Sequence, residues 1–297
     1  MNLATPSRFA VRILRLLLAV LLFGLLSSCS TVRLGYSNGD TLLYWWLDGY
    51  VDFRSAQKNK VKLDISNLLN WHRSTQLLQY AQVLAQLQTR LAGNPGPAEV
   101  DASMKQIEQM SQATLLKAVP ELTDLALSLD EAQLTFLARK FDKNNEEFRK
   151  KHMSEAPDKQ AKIRFKKVMK EANDWFGSFS REQEDKIRQY ADKRPQNYQF
   201  WLDERIVRQK KILQLLAQIQ RDNPGHEVAQ GMVRQAILAN YERPAQPERR
   251  AQFEAWNDTT VDMIVAIIRD ATPEQKAHAH KKLQGWIEDC QYFMAGK

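Results

Sequence analysis

The chain has 297 residues, of which 43 are Lys or Arg and 35 are Asp or Glu, so its formal net charge is +8. Its apolar fraction of 43% and charged fraction of 26% exclude a disordered or collagen-like chain. Two cysteines exclude a disulfide framework, a four-thiolate zinc site and an iron–sulfur cluster, and 11 glycines are few for nucleotide-binding loops or an all-β fold.

Residues 1–28 are predicted to be a signal peptide and not part of the folded domain. Arg8, Arg12 and Arg15 form a basic amino-terminal region without an acidic residue, and the apolar run Leu16–Leu26 follows it. As a helix this run would extend about 16 Å, which is too short for a hydrocarbon core of about 30 Å.

The leader ends in Leu26, Ser27 and Ser28, and Cys29 follows them. This sequence resembles the lipobox of bacterial lipoproteins. The resemblance implies that signal peptidase II cleaves before Cys29 and that Cys29 carries acyl chains such as palmitate, which anchor the protein to a membrane. Ser30, where some lipoproteins have aspartate, implies transfer to the outer membrane. An ordinary cleaved signal with an incidental cysteine is the alternative.

The mature chain is predicted to comprise a lipidated tether over residues 29–39 and one helical domain over residues 40–297. An aromatic segment opens this domain and contains Tyr44, Trp45, Trp46, Tyr50 and Phe53. We favour burial of these rings in the core, because the charged residues Asp48 and Asp52 lie among them. Contact with the membrane interface, where Trp and Tyr are common, is the alternative.

Apolar residues recur at helical spacing through the rest of the chain. One long helix is predicted from about Leu134 to Met153, and further helices are predicted over residues 158–176, 181–194, 196–221, 227–242, 247–270 and 273–294. No segment alternates polar and apolar residues as a strand does. The sequence therefore predicts an all-α fold, an antiparallel multi-helix bundle with no sheet, preceded by a lipoprotein signal peptide.

Four segments share one pattern, in which an apolar residue precedes a helix cap and glutamine lies three positions after the cap. These segments are Phe53–Gln57, Leu129–Gln133, Phe179–Gln183 and Ala271–Gln275. The last three are capping boxes, whereas Arg54 in the first cannot accept a hydrogen bond, so Ser55 is predicted to cap instead. Four ordinary helix starts explain the pattern. The segments also resemble helix starts in small periplasmic proteins related to the Spy and CpxP stress chaperones.

Several longer segments carry a second resemblance. They are Arg33–Tyr36, Trp45–Asp52 with Gln57 and Lys58, Trp71–Arg73, Trp201 with Arg205, Arg208 and Gln209, and Thr272–Lys276. Together they resemble a family of proteobacterial outer-membrane lipoproteins catalogued as a domain of unknown function. The resemblance covers nearly all of residues 29–290, and it implies a location and a helical fold but no activity.

Basic residues outnumber acidic ones by 12 to 5 between Arg139 and Lys170. They predict a basic binding face that consists of Lys159, Lys162, Arg164, Lys166, Lys167 and Lys170. Such a face attracts acidic proteins, lipopolysaccharide phosphates or anionic head groups, and a solvated helix face is the alternative. Arg205 and Arg208 are expected in a buried ion-pair network, and Cys290 is expected in the core and not as a reactive thiol.

No catalytic or metal-binding motif is recognised in the sequence. His278 and His280 are two positions apart, so on a helix they do not face each other. A site assembled between distant helices, with His72, Asp48 and Asp52 as candidate members, is the enzymatic alternative.

The leading hypothesis is a non-enzymatic lipoprotein on the periplasmic face of the outer membrane that binds an envelope protein or an unfolded client. Its expected partners are outer-membrane lipid, through the acyl chains on Cys29, and that protein. Nucleic acid, a metal and any cofactor other than the covalent lipid are not expected. An envelope hydrolase or transferase, or a structural accessory that binds peptidoglycan or lipopolysaccharide, is the alternative.

Overall fold

The computed structural model describes residues 30–195 and 197–296, which form helices joined by short turns and contain no strand. The predicted all-α class is therefore confirmed. The residues of the predicted lipidation sequence, Leu26, Ser27, Ser28 and Cys29, lie outside the described residues. In the described part of the chain, no helix has both the length and the apolar character that crossing a membrane requires. The helices are α1 Ser30–Ser37, α2 Gly39–Val51, α3 Ser55–Trp71, a π-helical turn His72–Gln76, α4 Leu77–Ala92, α5 Pro97–Lys117, α6 Val119–Ser128, α7 Glu131–His152, α8 Pro157–Phe176, α9 Arg181–Lys193, α10 Tyr198–Asp222, α11 His226–Tyr241, α12 Pro247–Asp270 and α13 Pro273–Met294.

The ends of the last six helices lie within two residues of their predicted bounds, and α7 begins three residues before the predicted Leu134. Pro247 and Pro273 begin α12 and α13, where a missing N–H group has no cost. Gly177 follows α8 with a φ of 79°, a conformation that glycine adopts without strain. Residues 30–37, which belong to the predicted tether, are helical.

The four glutamine helix starts meet in two pairs. Gln57 and Gln133 donate amide hydrogen bonds to each other's side-chain oxygens at 3.2 and 2.8 Å, and Gln183 and Gln275 do the same at 2.9 and 3.2 Å. Each glutamine accepts from the backbone N–H of its own cap residue at 2.8–3.1 Å. Each also donates to the carbonyl two residues before its partner's cap at 2.7–3.1 Å. These helix starts are therefore tertiary contacts as well as caps.

Arg54, and not Ser55, is the cap residue of α3. Its side chain cannot accept a hydrogen bond, but its backbone N–H is satisfied by Gln57 Oε1 at 2.8 Å. The Arg54 guanidinium donates through Nε to Asp130 Oδ2 at 2.9 Å, and Asp130 Oδ1 accepts from the Gln133 N–H at 2.8 Å. The arginine thus joins the cap of α3 to the cap of α7.

The aromatic segment divides between the core and the surface. Tyr44 and Phe53 are buried in one apolar cluster with Val51, and Tyr50 packs against that cluster. The side chains of Trp45 and Trp46 are 66% and 59% exposed, contrary to the predicted burial. The buried positions recur along one side of α2, so the neighbouring positions face away from the core.

The carboxy-terminal helices form a second packed region. Helix α13 packs along α4 and against α8, while α12 packs against α5 and α9. Its apolar cluster contains Phe165 and Met169 of α8, Ile187 of α9, and Met263 and Ile267 of α12. These helices surround the candidate site.

Candidate functional site

A cavity of about 910 Å³ lies between α4, α5, α8, α12 and α13, with residues of α7, α9 and α10 also in its lining. Its volume falls in the range of roughly 300–1,000 Å³ that is typical of ligand sites. The lining is mainly apolar and includes the aromatic residues Phe148, Trp175, Phe176, Tyr198, Trp201 and Trp256. The cavity is not among the sites predicted from the sequence.

Aromatic side chains that pack against one another form the walls. The ring centroids of Trp201 and Trp256 are 5.0 Å apart at an interplanar angle of 73°, an edge-to-face contact. Trp175 makes a similar contact with Trp286 at 5.0 Å, and Tyr198 stacks on His152 at 5.1 Å. Edge-to-face pairs hold both rings in defined orientations, so the walls are formed before any ligand binds.

The sequence of α8 explains why polar groups reach this apolar space. Arg164, Val168, Glu171 and Trp175 recur at helical spacing, and all four line the cavity. The adjoining stripe of α8, which includes Phe165, is buried in the cluster with α9 and α12. The cavity therefore lies along one border of the buried face of α8.

Two arginine side chains in the lining each have one buried nitrogen without a hydrogen-bond partner. The Nε atoms of Arg164 and Arg194 are buried without a partner among the described residues. Burial lowers the pKa of both guanidinium groups, and the nearby Tyr198 opposes this shift. The Arg194 guanidinium also lies 5.1 Å from the centroid of the Trp256 ring. A buried donor without a partner is costly, so an anionic group would be favoured here.

The other charged groups of the lining have partners within the protein or lie at its exposed edge. The Arg90 guanidinium donates to the Ser103 hydroxyl, which donates to the Glu99 carbonyl at 2.7 Å. The Glu99 carboxylate accepts from the Gly96 N–H at 3.0 Å. Lys167 and Glu171 line the cavity with exposed side chains. Among the described residues that line the cavity, the buried side-chain polar atoms without a hydrogen-bond partner are therefore the Nε atoms of Arg164 and Arg194.

The structure divides the predicted basic face into two parts. Arg164 and Lys167 line the cavity. The remaining four lysines of the predicted face are exposed, and they are Lys159, Lys162, Lys166 and Lys170. Lys159 forms an ion pair with Glu155 at 2.8 Å, whereas the other three form none among the described residues. Three unpaired lysines thus follow one another at four-residue spacing along α8, and none of them lines the cavity.

The enzymatic alternative names His72, Asp48 and Asp52, and each of these side chains bonds to a different residue. His72 Nδ1 and the Tyr36 hydroxyl are hydrogen-bonded at 2.8 Å, and burial, with a contribution from Arg73, lowers the pKa of His72. The Asp48 carboxylate accepts from the Phe53 N–H at 2.8 Å, and Asp52 pairs with Arg54 at 3.2 Å. No group of metal-binding side chains occurs within the described residues.

Two predictions about the interior have different outcomes. Arg205 and Arg208 are exposed, and the nearby buried ion pair is formed instead by Glu204 and Arg249, whose Nε donates to Oε1 at 2.6 Å. The expectation for the two exposed arginines is therefore wrong. Cys290, for which the sequence predicts a position in the core, is half-buried. Burial together with Asp289 raises the pKa of its thiol.

The comparison with known families gives one match. The model of a family described as a family of unknown function, DUF6279, matches residues 49–238. No curated protein and no solved structure matches the chain. The matched segment contains Arg164, Arg194 and Trp201, while Trp256 and the other lining residues of α12 and α13 lie beyond it.

Proposed function

We propose that this chain, which belongs to the DUF6279 family of unknown function, is a non-enzymatic binding protein anchored through lipid on Cys29 to the periplasmic face of the outer membrane. The support for the anchor is the lipobox-like sequence Leu26–Cys29 after a short apolar run. The support for binding is the cavity, and the partner is an envelope protein or an unfolded client.

The cavity is the observation that carries the proposal. It offers a largely apolar space of about 910 Å³ with aromatic walls, which suits apolar side chains that a folded partner would bury. Arg164 and Arg194 supply buried donors without partners, and a carboxylate would satisfy them with charge-assisted hydrogen bonds. The segment that best fits is therefore apolar with an adjacent Asp or Glu, as found in unfolded chains and in amphipathic helices.

The exposed lysines of α8 supplement this site from another face of the same helix. Lys162, Lys166 and Lys170 lie on the helix that also supplies Arg164 to the cavity. Clustered cations raise the local concentration of acidic partners and increase the rate at which they associate. In this proposal the lysines attract a partner and the cavity holds its apolar residues.

The test is binding of a permanently unfolded acidic protein, reduced and carboxymethylated α-lactalbumin, to the purified full-length lipoprotein in detergent. We expect Arg164→Gln combined with Arg194→Gln to weaken binding about tenfold, since each charge-assisted hydrogen bond contributes roughly 1.5–3 kcal/mol and water replaces part of it. The matched control is Arg181→Gln combined with Arg234→Gln, which removes exposed arginines of α9 and α11. Equal affinities for the wild type and the double variant would contradict the proposal.

The position of the bound client is tested separately with a photoreactive benzoylphenylalanine. Ile107 lines the cavity and is 50% exposed, whereas Val228 on α11 is 60% exposed and lies outside the lining. We expect crosslinks to the client from position 107 and not from position 228. Crosslinks from both positions at similar yield would indicate adhesion to the general surface and would contradict a specific site.

A further inference from the structure

The outer side of α2 is an apolar stripe that no other described helix covers. Trp45 and Trp46 lie three and four positions after Leu42, and the three residues are 51% (Leu42), 66% (Trp45) and 59% (Trp46) exposed. On a helix this spacing places them on one face. Single exposed apolar residues are common on protein surfaces, but three neighbouring large side chains, two of them indoles, form a patch.

The patch continues into the preceding helix. Val32 and Leu34 of α1 are 48% and 66% exposed. Backbone hydrogen bonds from the Asn38 N–H to the Leu34 carbonyl and from the Leu42 N–H to the Asn38 carbonyl, at 3.3 and 3.0 Å, join α1 to α2. Five of the sixteen large apolar side chains that are exposed in the described residues thus lie within residues 32–46.

Charged groups are absent from the middle of this stripe. Asp40 is near the start of α2, where its carboxylate accepts from the Thr41 N–H at 2.8 Å. Asp48 is near the end of α2, where its carboxylate accepts from the Phe53 N–H. Asp52, which together with Asp48 favours core burial in the sequence, follows α2 and pairs with Arg54 at 3.2 Å. None of the three acids therefore lies between Leu42 and Trp46.

We infer that this stripe is a membrane-seating surface, which inserts Trp45 and Trp46 into the interfacial region of the phospholipid bilayer. Indole rings favour that region because they combine an apolar body with an N–H donor. Trp46 lies 17 residues after Cys29, a number of residues that spans about 26 Å as a helix. The inference rests on the proposed lipid anchor and is independent of client binding in the cavity.

The seating would fix the orientation of the domain on the membrane. Acyl chains on one residue hold a protein at the surface but leave it free to rotate about that residue. A second apolar contact, made by α2, removes most of this freedom because the stripe and the anchor must lie at the same depth. Amphipathic helices that lie in the interface bind through the same combination of buried apolar area and aromatic residues.

The experiment places a nitroxide spin label on the full-length protein in vesicles of phosphatidylethanolamine and phosphatidylglycerol. Trp46→Cys is compared with Val228→Cys, an equally exposed position on α11, in a Cys290→Ala background. The accessibility of each label to dissolved oxygen, which concentrates in lipid, and to a water-soluble nickel chelate is measured. We expect the label at position 46 to be severalfold less accessible to nickel than the label at position 228, and more accessible to oxygen.

Each outcome has one meaning. High nickel accessibility at position 46 would place the stripe in water and overturn the inference. Low accessibility to both reagents would show that protein covers the stripe, either a second copy or a partner, and would also overturn it. Flotation of the protein with the vesicles tests the anchor itself, so loss of the anchor and loss of the seating are distinguished. Leu42→Cys provides a second labelled position on the stripe.

Discussion

Gln183 and Gln275 are 92 residues apart in the chain, yet each side-chain amide donates a hydrogen bond to the other's oxygen. Gln57 and Gln133, 76 residues apart, make the same contact. In both pairs, the group that completes the first turn of one helix also binds the backbone that enters the other. Loss of one glutamine is therefore expected to weaken tertiary structure and not only one helix end.

Replacement of Gln133 by alanine is expected to destabilise the fold by about 2–4 kcal/mol, because it leaves buried polar groups unpaired and creates a cavity. The Gln133 side chain is 1% exposed and bonds to Gln57 and to the backbone carbonyl of Asp52. The free energy of unfolding in urea measures the loss. The control, Gln109→Ala, removes an exposed glutamine of α5 and should change stability by less than about 0.5 kcal/mol. Similar losses in both variants would contradict a role for the pair.

Protonation of His72 is expected to make the protein less stable in mild acid. Burial and the Arg73 charge lower the pKa of His72 in the folded state, whereas in the unfolded state it lies near its ordinary value of about 6.5. As the pH falls below that value, the unfolded state gains a proton that the folded state does not, so stability decreases by at most about 1.4 kcal/mol per pH unit.

The measurement is urea unfolding at about pH 7.5 and about pH 5.5, above and below the ordinary pKa of histidine. His72→Gln keeps a hydrogen-bonding group opposite the Tyr36 hydroxyl and should show a smaller loss between the two pH values than the wild type. His280→Gln, which alters an exposed histidine of α13, should retain the wild-type loss. An unchanged pH dependence in His72→Gln would show that other groups cause it.

Removal of the Arg249 charge is expected to cost about 3 kcal/mol, because it leaves the Glu204 carboxylate buried without its cation. The Glu204 side chain is 11% exposed, and that of Arg249 is 29% exposed. Arg249→Met should therefore lower the urea midpoint far more than Arg234→Met, which alters an exposed arginine of α11. Combination of Arg249→Met with Glu204→Gln should recover part of the loss. A double variant no more stable than the single one would show that packing, and not charge, dominates.

The sequence predicts the helices well because their boundaries depend on local chemistry. Proline in a first turn and a capping side chain determine where a helix begins, as at Pro273 and Thr272. The same local rules identify the glutamines as caps but contain no information about their partners. The pairing of Gln57 with Gln133 depends on how distant helices pack, which one sequence does not specify.

The candidate site is less predictable for a related reason. Arg164 belongs to a basic run, and only its spacing from Val168 and Trp175 separates it from the exposed lysines. This signal is present in the sequence but requires knowledge of which stripe of α8 is buried. Arg194 follows α9 and precedes Pro195, so no periodicity predicts its orientation. The buried side of α2, with Tyr44 and Val51, could have indicated that the tryptophans face outward.

Neutralisation of the three unpaired lysines on α8 is expected to slow client association without destabilising the protein. Lys162, Lys166 and Lys170 are exposed and form no ion pair among the described residues, so their replacement by glutamine removes charge but no internal contact. The association rate of carboxymethylated α-lactalbumin should fall about tenfold at low ionic strength, since electrostatic attraction raises association rates by 10-fold or more. In about 1 M salt, where charges are screened beyond roughly 3 Å, the variant and the wild type should associate at similar rates.

The control replaces Lys210, Lys211 and Lys281, which are also exposed, and lowers the net charge by the same amount. An equal effect of both triple variants would show that net charge, and not the position of the three lysines on α8, governs association.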